Sequence, residues 1–192
     1  MADKKKLPST FANMVIVLSV VALVSALALA FTYSATMEAR EMAKQKKTLV
    51  ALAKVLPPFD NQPNTEKYTV EGFNDLELYP AKKDNQLVGT AVKTYSDSGF
   101  GDRIVIMVGF DKDKKLIDTW VVEQKETPGL GTKMTEPRFK DQFKGKDLTA
   151  FKLVVKKDGG DVDAITAATI TSRAYCEAVD RAYQALGKGE TK

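Results

Sequence analysis

The sequence predicts an α+β domain carried behind one N-terminal membrane helix. Three observations carry that expectation. A charge-free apolar run lies near the N-terminus, strand-like runs fill the middle, and an amphipathic helical pattern lies near the C-terminus.

The apolar run comes first. No charged residue occurs from Leu7 through Met37, and residues 14–33 are almost wholly apolar. Twenty residues rising about 1.5 Å each cross the roughly 30 Å hydrocarbon core of a bilayer. A transmembrane helix surrounded by membrane lipid is therefore expected over residues 14–35, preceded by a tail of residues 1–13. A signal peptide has a similar order of basic and apolar parts, and Ala28-Leu29-Ala30 or Ser34-Ala35-Thr36 would suit cleavage. The run is longer than a typical signal core, which favours an uncleaved anchor. Lys4, Lys5 and Lys6 precede the span, while Arg40, Lys44, Lys46 and Lys47 follow it. The basic residues on the two sides do not decide orientation by number. A short basic tail ordinarily stays in the cytoplasm, which places the large domain outside.

Residues 36–58 read as a connecting helix. Met42, Leu49, Leu52, Val55 and Leu56 fall near helical spacing, and Pro57-Pro58 ends the pattern. The domain proper is expected over 59–192, opening with a polar loop at 60–67. Strands are expected at 87–95, 103–110, 116–122 and 151–155, with a hairpin turn at 111–115. Asp111 and Asp113 lack the later Gly and Glu of a calcium loop, so a plain turn is the expectation. A short helix is expected over 136–143. The last helix is expected from about Ser172 to Leu186, with Ala174, Tyr175, Ala178, Val179, Ala182, Tyr183 and Leu186 as its core stripe and Gly187 as its stop.

Composition narrows the chemistry. The chain has 29 Lys+Arg against 25 Asp+Glu, with the cations scattered and no basic block interleaved with aromatics. No nucleic-acid partner is expected. Histidine is absent, which excludes His-ligated metal sites and Ser-His or Cys-His pairs. The single Cys176 lies inside the last helical pattern and reads as a buried thiol. One cysteine cannot hold a four-cysteine iron–sulfur cluster, and no metal site is expected. Redox chemistry would need an organic cofactor.

Two segments stand out. In Asp163-Ala-Ile-Thr-Ala-Ala-Thr-Ile-Thr-Ser172, four hydroxyls surround two alanines just before a helix. The free N–H groups and positive dipole end of that helix suit a phosphate. Alone, the segment also reads as a Ser/Thr-capped helix start. In Glu126-Thr-Pro-Gly-Leu-Gly131, Pro128-Gly129 fits a tight turn, and Gly131 would let a flat group approach the backbone. That segment alone also reads as an ordinary loop.

Taken together, these segments and Gly99-Phe-Gly101 resemble the FMN-binding domain shared by the G subunit of the Rnf electron-transport complex and the C subunit of the sodium-pumping NADH:quinone reductase. The resemblance covers nearly the whole chain, and its compact length looks more like the Rnf protein. It implies a membrane-anchored electron carrier, not a complete enzyme alone. That carrier would serve a complex moving electrons between ferredoxin and NAD⁺ with coupled Na⁺ or H⁺ translocation, beside other membrane subunits. In that family the motif Ser-Gly-Ala-Thr-x-Thr-Ser carries FMN on its threonine, as a phosphoester made by a flavin transferase. Laid on this sequence, the motif puts the covalent FMN on Thr169. Thr166, Ala167, Ala168, Ile170 and Thr171 lie around it, and Asp163 matches the transferase's acidic recognition position. Glu126, Thr127, Gly129, Leu130 and Gly131 would lie against the flavin ring. Ala167 replaces the family glycine, which would strain the backbone by about 1 kcal/mol if φ is positive there. Two other readings stay open at this point. One is the equivalent subunit of a quinone reductase or a stand-alone extracytoplasmic flavin carrier. The other is a membrane-anchored binding module without flavin.

Overall fold

The structure, a computed structural model, describes residue 8 and residues 10–189. Lys4, Lys5 and Lys6 lie outside the described residues. Helix α1 (Phe11–Val55) is continuous, and the chain divides into two compact units at Lys46/Lys47.

In the first unit the described part is helix. Thr10 caps it, its Oγ1 accepting the Asn13 N–H at 3.4 Å. The helix is long and apolar enough to cross a membrane, and its apolar stretch is exposed. Two of its threonines bond back to the helix backbone. Thr32 Oγ1 donates to Ala28 O at 3.0 Å and Thr36 Oγ1 to Thr32 O at 2.8 Å. Such bonds remove hydroxyl donors that hydrocarbon could not satisfy.

The second unit is a five-stranded antiparallel meander in the order β1-β2-β3-β4-β5. The strands are β1 (Tyr68–Val70), β2 (Phe73–Lys83), β3 (Gln86–Ser96), β4 (Ile104–Phe110) and β5 (Leu116–Glu123). Side chains alternate between two faces. Leu76, Leu78, Val92, Ile106 and Val108 face one core, and Tyr79, Ala81, Ala91 and Met107 face the other. Helix α3 (Thr169–Gly189) covers the first face with Ala174, Tyr175, Ala178, Val179, Ala182 and Leu186. The last turns of α1 cover the second with Ala51, Leu52 and Val55. Gly109 lets α1 approach β4, because a Cβ there would overlap the Val55 carbonyl.

Strands β3, β4 and β5 lie where the apolar runs predict them. Strands β1 and β2 carry weaker signals. Pro80 and the charges around it mask β2, and Asp84-Asn85, with φ of 50° and 63°, makes the two-residue turn into β3. Pro80 is tolerated because β1 pairs only as far along β2 as Leu78.

Three expectations are corrected. Residues 151–155 form no sheet strand. They turn and make one isolated parallel bridge, Val155 with Val162, while Leu148, Phe151 and Leu153 pack irregularly on the core. A short apolar run does not by itself specify a strand. The helix expected over 136–143 shrinks to α2 (Pro137–Lys140), after a 3₁₀ turn at Gly131–Thr135 and before further turns. Helix α3 starts three residues earlier than expected and runs through Gly187 to Gly189, so Gly187 is no stop.

The α3 side of the core is aromatic. Tyr175 meets Phe139 and Phe143 at centroid distances of 5.2 and 5.0 Å, and its hydroxyl donates to Thr119 Oγ1 at 2.7 Å. Burial raises the Tyr175 pKa above the ordinary phenol value. Cys176 is buried as expected, and burial pushes its thiol up to about 12.

Candidate functional site

A cleft of about 310 Å³ opens where three loops meet the start of α3. Phe100 comes from the β3–β4 loop. Glu126, Thr127, Leu130 and Gly131 come from the segment after β5. Ala167, Ala168, Thr169, Ile170 and Thr171 come from the turn into α3. Nine of the residues singled out in the sequence thus share one cleft.

The 126–131 segment is tied from within. Pro128-Gly129 makes a tight turn, with Gly129 at φ 76° and the Leu130 N–H donating to Thr127 O at 3.1 Å. Gly129 does not line the cleft, and a Cβ there would meet open space. Glu126 is 5% exposed. Its Oε1 accepts the Gly101 N–H at 3.2 Å, and its Oε2 accepts the Thr171 hydroxyl at 2.8 Å. One buried carboxylate therefore joins all three loops. Gly131 leaves room for it, since a Cβ there would run into Glu126 and the Thr171 hydroxyl. The glycine serves contact inside the protein.

The turn into α3 is shaped by Ala167 at φ 63° and by Ser172. Ser172 Oγ accepts the Ile165 N–H at 2.9 Å and donates to Ala168 O at 3.0 Å. The first helical bond runs from Ser172 N to Ala168 O at 3.1 Å. The N–H groups of Thr169, Ile170 and Thr171 precede it and find no partner among the described residues. The four hydroxyls are now distinct. Thr171 and Ser172 are committed to Glu126 and to the turn, not to forward caps. Thr166 lies in an adjoining cleft of about 330 Å³, with Asp163, Lys133, Arg138 and Gln142. Thr169 is the first residue of α3, not a residue ahead of it. It is half-buried, and its hydroxyl makes no side-chain hydrogen bond among the described residues.

Asp163 is exposed and pairs with Lys156 Nζ at 2.8 Å. Gln142 brackets its backbone, accepting the Asp163 N–H at 2.7 Å and donating to its carbonyl at 3.1 Å. Among the residues lining the 310 Å³ cleft, Glu126 alone is ionisable. The rim is apolar, with Phe100 69%, Ile170 48% and Leu130 40% exposed. On the outside of the loop pair, Asp102 accepts a hydrogen bond from Lys125 Nζ at 2.5 Å. That bond holds the Asp102 carboxyl below its ordinary pKa.

The G subunit of an ion-translocating oxidoreductase complex from Erwinia tasmaniensis is 38% identical over 159 residues, covering 76% of this chain and 74% of that protein. The chain belongs to the family of G subunits of ion-translocating oxidoreductase complexes. The G subunit of the Na⁺-translocating ferredoxin:NAD⁺ oxidoreductase complex of Acetobacterium woodii is 33% identical over 190 residues, covering 90% and 91% of the two chains. The family described as FMN-binding domain matches residues 99–184, which hold all three loops of the cleft. A crystal structure of Shewanella oneidensis NqrC aligns with a TM-score of 0.45 and 23% identity, over 69% of this chain and 78% of that one. This member of the family thus has an FMN-binding domain, and it follows a helix suited to a single membrane crossing.

The residues present fit an FMN. Its ring suits a cleft with an apolar rim, and its phosphate suits three free N–H groups at a helix start. Phe100 was legible in the sequence only as the middle of a Gly-Phe-Gly motif. An aromatic between two glycines is the signal that could have marked it as a site residue.

Proposed function

We propose that this protein is the flavin-carrying subunit of an Rnf-type membrane complex, with FMN joined through its phosphate to Thr169 Oγ1. In that complex it relays electrons between ferredoxin and NAD⁺, coupled to Na⁺ or H⁺ translocation by other membrane subunits. The observation that carries the reading is the Thr169 hydroxyl, unengaged on the cleft wall beside three unpartnered N–H groups. The bound flavin supplies the electron-transfer chemistry, and the chain supplies placement and surroundings. Thr169 holds the phosphate, and the N–H groups of Thr169, Ile170 and Thr171 offset its remaining negative charge. Thr127, Leu130 and Ile170 wall the ring, while Glu126 holds the walls in register.

Attachment needs a flavin transferase, because a threonine hydroxyl without a neighbouring base is a weak nucleophile. The sequence has no histidine to serve. Asp163 is the transferase's recognition residue, reached after its pair with Lys156 opens. Helix α1 anchors the chain in lipid through residues 14–35, with the FMN-binding domain outside the cytoplasm.

Intact mass after co-expression with the transferase tests the attachment. Wild type should gain one FMN, and Thr169→Val should gain none while remaining folded. Flavin retained covalently by Thr169→Val would overturn the site. No flavin on the wild type would overturn the function. Topology is tested separately with reporters fused after about residue 60. Activity of a cytoplasm-only reporter there would overturn the orientation.

A further inference from the structure

Phe100 is 69% exposed on a short loop, yet the loop is firmly held. Exposing an aromatic side chain to water forgoes a large share of its burial energy. On a loose loop that would be ordinary, but both neighbours of Phe100 are pinned. A Cβ on Gly101 would overlap the Lys125 carbonyl and come within 3.3 Å of Glu126 Cα. A Cβ on Gly99 would strike the Asp102 carbonyl and sit 2.9 Å from Glu126 Oε1. The Gly101 N–H is also bonded to Glu126. The backbone on either side of Phe100 is thus pressed onto the residues that open the 126–131 segment. The pinned turn places the side chain on the cleft, beside Leu130 and Ile170.

We propose that Phe100 is the third wall of the flavin site, packing against the isoalloxazine ring and excluding water from it. The inference rests on the flavin reading above. It gives the Gly99-Phe-Gly101 motif a physical reason. The glycines let the turn seat against Glu126, and the aromatic supplies the ring contact. Glu126 then acts as a positioning residue. Its two oxygens tie the Phe100 turn to the helix that starts at Thr169, so the wall and the attachment point share one anchor.

The test uses the full-length chain, co-expressed with the transferase and purified in detergent. Phe100→Trp converts the wall into a proximity probe, because an indole quenches flavin emission by electron transfer that is fastest at contact and falls off steeply with distance. Native emission should fall roughly tenfold below wild type and recover on denaturation, with attached mass unchanged. Leu87→Trp, on β3 away from the cleft, should leave emission at the wild-type level. Phe100→Ala should keep the flavin attached and raise its quenching by iodide roughly threefold, as water gains access. Wild-type emission in flavin-loaded Phe100→Trp, or equal quenching from Leu87→Trp, would overturn the assignment of Phe100 alone. A wild type that carries no flavin would overturn this inference together with the function beneath it.

Discussion

The two segments that face each other across the cleft are held by opposite means. The 126–131 segment makes its own tight turn but is fixed in the fold by long-range bonds, from its buried Glu126 carboxylate to the Phe100 turn and to α3. The turn into α3 is fixed locally, by Ser172 reaching back to Ile165 and Ala168, and it carries a strained residue at Ala167. The contrast shows that glycine content is a poor guide to where a ligand lies. Gly131 makes room for Glu126, whereas Ala167 sits where φ favours glycine and does without one.

Variants can break or sharpen this contrast, with stability read from unfolding of the full chain in detergent. Glu126→Ala should have the largest effect. It strips partners from the Gly101 N–H and the Thr171 hydroxyl and should cost about 3 kcal/mol. A loss well under 1 kcal/mol would show that the loops are held by something else. Gly131→Ala should cost about 2 kcal/mol, because the added carbon displaces a buried carboxylate. In a Glu126→Ala background the overlap with the carboxylate is gone while those with the residue-126 Cβ and the Thr171 hydroxyl stay, so the cost should fall to about 1 kcal/mol, a coupling that a double-mutant cycle reads directly. Additive losses would refute the packing account of Gly131. Gly129→Ala should cost about 1 kcal/mol from its positive φ alone, with no such coupling to Glu126. The smallest effect runs the other way. Ala167→Gly relieves the left-handed strain but frees the unfolded chain, for a net gain of about 0.5 kcal/mol. A net loss would mean that Ala167 is not strained.

Much of this was legible because it depends on local pattern. The long apolar run follows from its length and lack of charge, and three of the five strands and the core stripe of α3 follow from hydrophobic patterning, which records which face meets water. The candidate site residues came from two short motifs, and nine of them line one cleft. Other features were not legible. Strand β2 hides because Pro80 and its charged neighbours are tolerated only on a stretch that β1 leaves unpaired, and edge position is set by the sheet. The apolar run at 151–155 looks like a strand, but its side chains are used by the α3 core while its backbone turns.

The sequence by itself determined the long apolar run, the α+β class and the cluster of small residues and hydroxyls at the start of the last helix. Each is written in composition or spacing over a few residues. Only the tertiary structure decided which unengaged hydroxyl lines the 310 Å³ cleft. It committed Thr171 to Glu126, 45 residues earlier in the chain, and Ser172 to the turn, and it left Thr169 on the cleft wall. It also decided that Phe100 lines the cleft and that Gly131 accommodates a carboxylate. Apart from the local bonds of Ser172, these outcomes depend on contacts between segments far apart in sequence. Such contacts exist only once the sheet has brought the loops together, so no local pattern can encode them.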